Sequence, residues 1–209
     1  MYFLLALSAS GISTLITATA TAWVNAYGYA AVFVLMLMES ATLPIPSEVV
    51  LPLAGVLAAK GALNIYLVIA VATVGSMIGS IIDYAIGYYL GKELVYKHLQ
   101  LFHVKKHTLD NFDAWFAKNG NVAVFLTRFI PIVRTVINFP AGFAKMSLKT
   151  FLTYTFVGVL IWDIVLVTFG YYLLSAKNAS VILAGVAVFV IILYVLYRFA
   201  ASKMRKKSG

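Results

Sequence analysis

Cysteine is absent from the 209 residues, which excludes disulfides, thiolate metal sites and a cysteine nucleophile. Charge is scarce as well: Asp, Glu, Lys and Arg make up 11% of the chain, against about a quarter of a soluble domain. Only seven residues are acidic and only five are proline. Histidine offers no metal site, since His103 and His107 have no obvious third ligand and read as a solvated or interfacial pair. What fills the chain is apolar, with 63% hydrophobic residues and a mean hydropathy of +0.96. Nearly uncharged runs long enough to cross about 30 Å of hydrocarbon occur near residues 63–90, 151–174 and 180–197. The chain is expected to be an all-α integral membrane protein of one domain with at least three spans.

The net charge of +9 does not point to nucleic acid, because the lysines flank the apolar runs and gather in the tail, residues 198–207 (RFAASKMRKK). A topology signal and contact with anionic lipid explain them better. No basic region precedes the apolar first 24 residues, so these read as a first membrane or interfacial helix rather than a cleaved signal peptide.

Four landmarks recur in the same order in the two halves. The first half has GYAAVF (28–33), Ala54-Gly55, Asp83 and GYYL (87–90); the second has GNVAVF (120–125), Ala141-Gly142, Asp163 and GYYL (170–173). An internal duplication follows as an expectation, with repeats at 28–91 and 120–174. Between them, residues 92–119 are the most polar stretch. There Leu109, Phe112, Trp115 and Phe116 fall at helical spacing opposite Lys105, Lys106 and Asp110, which suits an amphipathic linker in the membrane interface. A C-terminal transmembrane helix is expected at 179–199, followed by a basic tail at 200–209.

All five prolines lie in two stretches, LPIPSEVVLP in the first repeat and RFIPIVRTVINFP in the second. Proline removes a backbone donor and clashes with the preceding turn, so Pro44, Pro46, Pro131 and Pro140 are expected to break these segments into re-entrant hairpins rather than leave straight spans. A proline-kinked spanning helix is the plainer alternative. Irregular backbone at membrane depth is tolerated only inside protein or along a wet cavity, so the two broken segments are expected to face each other. A hairpin plus one span makes each half cross an odd number of times, and the halves are then inverted. Lys92, Lys97, Lys105, Lys106, Lys118, Lys145, Lys149 and the tail fall on one side, with Lys60 and Lys177 opposite. That side, with the C-terminus, is expected to be cytoplasmic.

Four of the seven acids, Glu39, Glu48, Asp83 and Asp163, sit in apolar segments, where ionisable groups are costly and normally face a bundle interior or a pathway. Against them stand Arg128 and Arg134, the only arginines before the C-terminal segment. Six residues apart on an unbroken helix, they would point to different faces. A break at Pro131 lets both converge, and two planar guanidinium forks suit a phosphate. Asn138 and Ser47 are further donors to a headgroup. Four buried acids against two arginines imply that at least one carboxyl carries a proton, which makes proton coupling a natural companion of the site. Static ion pairs between the hairpins are the alternative. The glycines at 75, 79, 87 and 91 recur at the small-residue spacing of close helix packing.

On these residues the chain resembles the DedA family, also called the VTT or SNARE-associated family, over roughly residues 28–174. The match is most specific at 128–142, where Arg, two residues, Pro, two residues and Arg precede Ala-Gly. ESATLPIPSE (39–48) and GSIIDYAIGYYLG (79–91) are the second and third matches. The resemblance implies two opposed re-entrant hairpins and movement of lipids between leaflets, of undecaprenyl phosphate or a phospholipid such as phosphatidylethanolamine, in dependence on the proton motive force. It gives Glu39, Arg128 and Arg134 the family's membrane-embedded charges and Glu48 its second acidic position. Ser47 stands where many members have glycine, and Asp163, after a family-like Trp162, is an addition to the pattern.

The expected function is therefore a multi-pass cell-membrane lipid transporter, a flippase for a phosphate-headgroup lipid that exchanges protons and needs no cofactor. A proton-coupled antiporter for small cations is the alternative, which two buried arginines disfavour. A lipid-phosphate phosphatase lacks a histidine in the apolar core, so no enzyme is expected.

Overall fold

The computed structural model describes residues 18–101, 119–130 and 133–175, together with 15 and 116. Helix is the only regular structure among them, without strands. The elements are α1 (18–27), α2 (Tyr29–Ser40), α3 (Ser47–Ala59), α4 (Ile65–Leu101), α5 (119–127), α6 (Val133–Val136), α7 (Asn138–Phe143) and α8 (Leu148–Ser175). Pro131, His103, His107, the run at 180–197, the tail and most of the polar linker lie outside the described residues. Where the linker begins, α4 continues without a break to Leu101, past the expected boundary at residue 91.

Two helices are long and apolar enough to cross a bilayer, Ile65–Leu90 of α4 and Leu148–Tyr172 of α8, each well beyond the roughly 20 residues that a span needs. Asn64 starts α4 by accepting from the backbone N–H of Tyr66 and Leu67 at 2.9 and 3.2 Å, and Ser147 caps α8 through the N–H of Thr150 at 3.4 Å. Both helices expose large apolar side chains, among them Leu67, Val74, Ile82, Val157 and Ile164. Such a surface is matched by lipid and not by water. The buried face of α4 carries the polar groups instead. Thr73, Ser76, Ser80 and Asp83 recur at steps of three and four and are all at most 3% exposed.

The other helices are short. α2 and α3, with 12 and 13 residues, reach about 18 to 20 Å each at 1.5 Å per residue, less than the hydrocarbon thickness. They pack on each other as a helical hairpin whose bend is residues 41–46. Pro44 and Pro46 lie in that bend, where Thr42 takes a positive φ of 62°. Pro44 disfavours helical backbone at Leu43, which ends α2. Pro52, by contrast, is accommodated inside α3. After α5 the chain tightens through the N–H groups of Arg128, Phe129 and Ile130, each bonded to the carbonyl three residues back. Pro140 does not turn the chain. It sits in the first turn of α7, where its missing N–H costs least, beyond a short interruption at Ile137 between α6 and α7.

The chain divides into two compact units. The first holds the described residues up to Gly79 with Asp163–Ser175; the second holds Ser80–Trp162. The division therefore does not follow the two halves of the sequence, because α4 and α8 each contribute one end to either unit. Within the first unit α3 and α8 approach backbone to backbone. A Cβ on Gly55 would strike the backbone at Val167 and Tyr171, and one on Gly170 would strike Pro52. Within the second, α7 and α4 do the same: Gly142 lies on the backbone of Tyr84 and Tyr88, and Gly87 on Phe139. The spacings agree residue for residue, 52 and 55 with 139 and 142, and 167, 170 and 171 with 84, 87 and 88. Close approach of this kind requires a residue without a side chain. Gly142→Leu is expected to lower stability by about 1–3 kcal/mol or more, as overpacking does, read as a fall in the thermal midpoint of the protein in detergent, whereas Leu148→Ala at an exposed position is expected to leave it nearly unchanged.

Candidate functional site

The second unit assembles a polar site around Arg128, which stands in the turn after α5 and is 3% exposed. Nη1 donates to Ser80 Oγ of α4 at 3.3 Å and to the backbone carbonyl oxygen of Arg134 in α6 at 3.0 Å. Nη2 donates to Asn138 Oδ1 of α7 at 2.7 Å and to Thr155 Oγ1 of α8 at 2.8 Å. The side-chain stem lies against Gly158, and the guanidinium carbon is 5.9 Å from the centre of the Phe151 ring. Asp83, 2% exposed, is the acid whose charge bears on Arg128.

Arg134, 9% exposed, places its guanidinium carbon 5.0 Å from the centre of the Trp162 ring, a cation–π arrangement strengthened by removal from water. The two arginines that a straight helix would separate are thus brought together: the backbone of one receives a hydrogen bond from the side chain of the other. Beside them Tyr84 stacks on Phe151, with ring centres 4.6 Å apart, and donates its hydroxyl to the Met146 carbonyl at the end of the α7 turn. The arginines are thereby walled by aromatic rings rather than open to solvent.

The first unit holds the other acids. Glu39, near the end of α2, is 6% exposed, and Asp163 of α8 is 2% exposed and accepts from Thr73 Oγ1 at 2.9 Å. Ser40 and Ser47 are buried in the same unit. Glu48 does not join the buried acids. On α3 the residues Ser47, Val50, Leu51 and Ala54 turn inward, and the 100° step from Ser47 leaves Glu48 exposed. Among the described residues the buried acids of these apolar segments are therefore three, Glu39, Asp83 and Asp163, and not four.

Asp83 and Asp163 also differ from their expected pairing. Counted from Gly87 and Gly170, which make matching contacts, Asp83 lies four residues before its glycine and Asp163 seven before. Asp163 thus matches Ser80, one helical turn from the position of Asp83. Among the described residues no group of three His, Asp or Glu side chains is placed to hold a metal ion.

In the second unit the hydroxyls of Ser80 and Thr155 and the rings of Phe151 and Trp162 are site components that the charged residues alone did not reveal, and in the first unit the hydroxyl of Thr73 is the partner of Asp163. The signal was present in α4 as hydroxyls at 73, 76 and 80 in register with Asp83.

Comparison with known proteins places these features in a family. The VTT domain matches residues 45–172, from the bend of the first hairpin to the end of the span in α8. Undecaprenyl phosphate transporter A of Staphylococcus aureus is 33% identical over 180 residues, covering 84% of this chain and 88% of the relative. An alkaline phosphatase-like protein of Lactococcus lactis subsp. lactis is 39% identical over 151 residues, 70% of this chain and 71% of the relative. Protein DedA of Escherichia coli is 27% identical over 170 residues, 77% of each chain. No solved structure matches the chain. The matched stretch takes in the arginine turn, the α7 glycine contact and both spans: the chain is a membrane protein of the VTT domain, or DedA, family.

Proposed function

We propose that the protein moves a lipid with a phosphate headgroup from one leaflet of the membrane to the other, coupled to protons. The observation that carries this reading is the burial of both Arg128 and Arg134 in one unit, each at most 9% exposed, in a chain whose outer surface suits lipid. Two buried guanidinium charges make the unit a suitable place for an anion that arrives in the membrane, and a lipid phosphate is such an anion. Asn138, next to Arg128, completes the polar lining. The lipid tail stays in the bilayer, so only the headgroup needs shelter during transit.

Undecaprenyl phosphate and a phospholipid such as phosphatidylethanolamine are the candidate cargoes. The first is favoured by the name of the Staphylococcus aureus relative and of a Bacillus subtilis relative, 34% identical over 163 residues. Glu39, Asp83 and Asp163 are the acids that would take up and release protons. Hairpins too short to span act as re-entrant elements, and the matching glycine contacts support an internal duplication. One span per copy makes the copies inverted in the membrane, with the lysine-rich loops and the C-terminus on the cytoplasmic side. The phosphate is carried and not cleaved.

Native mass spectrometry of the purified protein with undecaprenyl phosphate and phosphatidylethanolamine in competition tests the substrate. Selective retention of one lipid is expected. Equal retention of both and of a lipid without phosphate would overturn the reading, as would release of inorganic phosphate; cation flux in their place would favour an antiporter.

A further inference from the structure

Arg128 has little left to offer a ligand. A guanidinium holds a phosphate best through two parallel N–H groups along one edge. Here all four terminal N–H groups are bonded within the protein, to Ser80, Arg134, Asn138 and Thr155. Only the Nε–H remains, buried and without a partner. Neither edge of the fork can therefore bind a phosphate with two bonds unless a bond to a buried acceptor is broken first. The four acceptors are neutral and come from four different helices, α4, α6, α7 and α8. Arg128 also has no room to withdraw, because its Cβ and Cγ lie against Gly158.

The geometry points to Arg128 as a positioning residue of the lipid-phosphate site, acting on the headgroup through Arg134 and not by contact. It draws the polar groups of four helices onto the turn after α5 and holds the backbone carbonyl of Arg134 and the side chain of Asn138 in place. Its cost as a buried charge is offset in part by these bonds and by the charge of Asp83. The orientation of Arg134 over Trp162 is then a consequence of where Arg128 anchors the α6 backbone. This inference rests on the proposal that Arg134 meets the phosphate.

The test is a set of double-mutant cycles on the full chain in detergent, with farnesyl phosphate as the probe and farnesol as its phosphate-free control. The readout is the ratio of the two affinities, because a general loss of fold weakens both ligands. Thr155→Val, which removes one acceptor of Arg128, is expected to reduce that ratio about fivefold, the worth of one hydrogen bond. Arg128→Lys, which keeps the charge and loses the fork, is expected to reduce it further. In an Arg134→Ala background neither change is expected to have any additional effect, since both act through Arg134.

Losses from Arg128→Lys and Arg134→Ala that multiply, with Thr155→Val silent, would make Arg128 a phosphate ligand and overturn the inference. Equal weakening of farnesyl phosphate and farnesol would reduce Arg128 to a structural role and overturn it as well. If Arg134→Ala alone retains the parent ratio, the phosphate reading itself has failed. Should Arg128→Lys not fold, Thr155→Val and Ser80→Ala carry the same cycle against Arg134→Ala.

Discussion

Arg134→Ala is expected to weaken binding of a phosphate-headgroup lipid by about 30-fold or more, the lower end of the loss when one partner of a buried charged pair is removed. Arg134 is buried, 9% exposed, with its guanidinium over Trp162. Arg128, at 3% exposure, is held by four hydrogen bonds to groups of the same unit. Arg134→Lys is expected to recover only part of the loss, because an ammonium supplies the charge without the planar fork. Titration of the purified variants with undecaprenyl phosphate in detergent measures both. Parent-like affinity of Arg134→Ala would remove the basis for a phosphate site.

Glu39→Gln is expected to abolish most of the response of transport to a pH gradient, by about 5- to 150-fold, the range of a typical coupling free energy. Glu39 is buried at the end of α2, beside Ser40 and next to the bend of the first hairpin. Glutamine keeps the shape and most hydrogen bonds of the side chain but cannot exchange a proton, so packing is preserved while coupling is not. Movement of a fluorescent lipid in proteoliposomes, with and without an imposed gradient, gives the measurement. A Glu39→Gln protein that still responds fully to the gradient would assign proton exchange to Asp83 or Asp163 instead.

The two spans were legible in the sequence because length and lack of charge suffice to define them, and Ile65–Leu90 and Leu148–Tyr172 fall within a few residues of the uncharged runs. The first bend was legible for a different reason. Pro44 and Pro46 act on the backbone locally, whatever surrounds them. Pro140 belongs to the same residue type but lies in the first turn of α7, where the helix tolerates it, so residue identity alone could not separate a bend from a helix start.

The site was legible only in its charges. Arg128, Arg134, Glu39, Asp83 and Asp163 stand out in an apolar chain and are all buried. The hydroxyls that hold Arg128 are nearly neutral in hydropathy, and Ser80 and Thr155 are 75 residues apart in the chain, so only the fold shows that they share one guanidinium. Glu48 is an acid in an apolar stretch like the others, but helical rotation leaves it exposed rather than buried. The pairing of Asp83 with Asp163 failed because order along the chain carries no register, which the glycine contacts supply.

The packing within the first unit constrains the order in which its parts can settle during synthesis. The α2–α3 hairpin leaves the ribosome early, yet the surface that Gly55 packs against belongs to Val167 and Tyr171, synthesised near the end of the described chain. Two helices too short to cross a bilayer are therefore without that support while α4 to α7 are laid down. α7 has no such delay, since α4, on which Gly142 packs, precedes it. Nascent chains stalled before residue 163 should consequently contain a formed α4 beside a first hairpin that has yet to find its final support, and that interval is where a membrane insertase or chaperone has most to contribute.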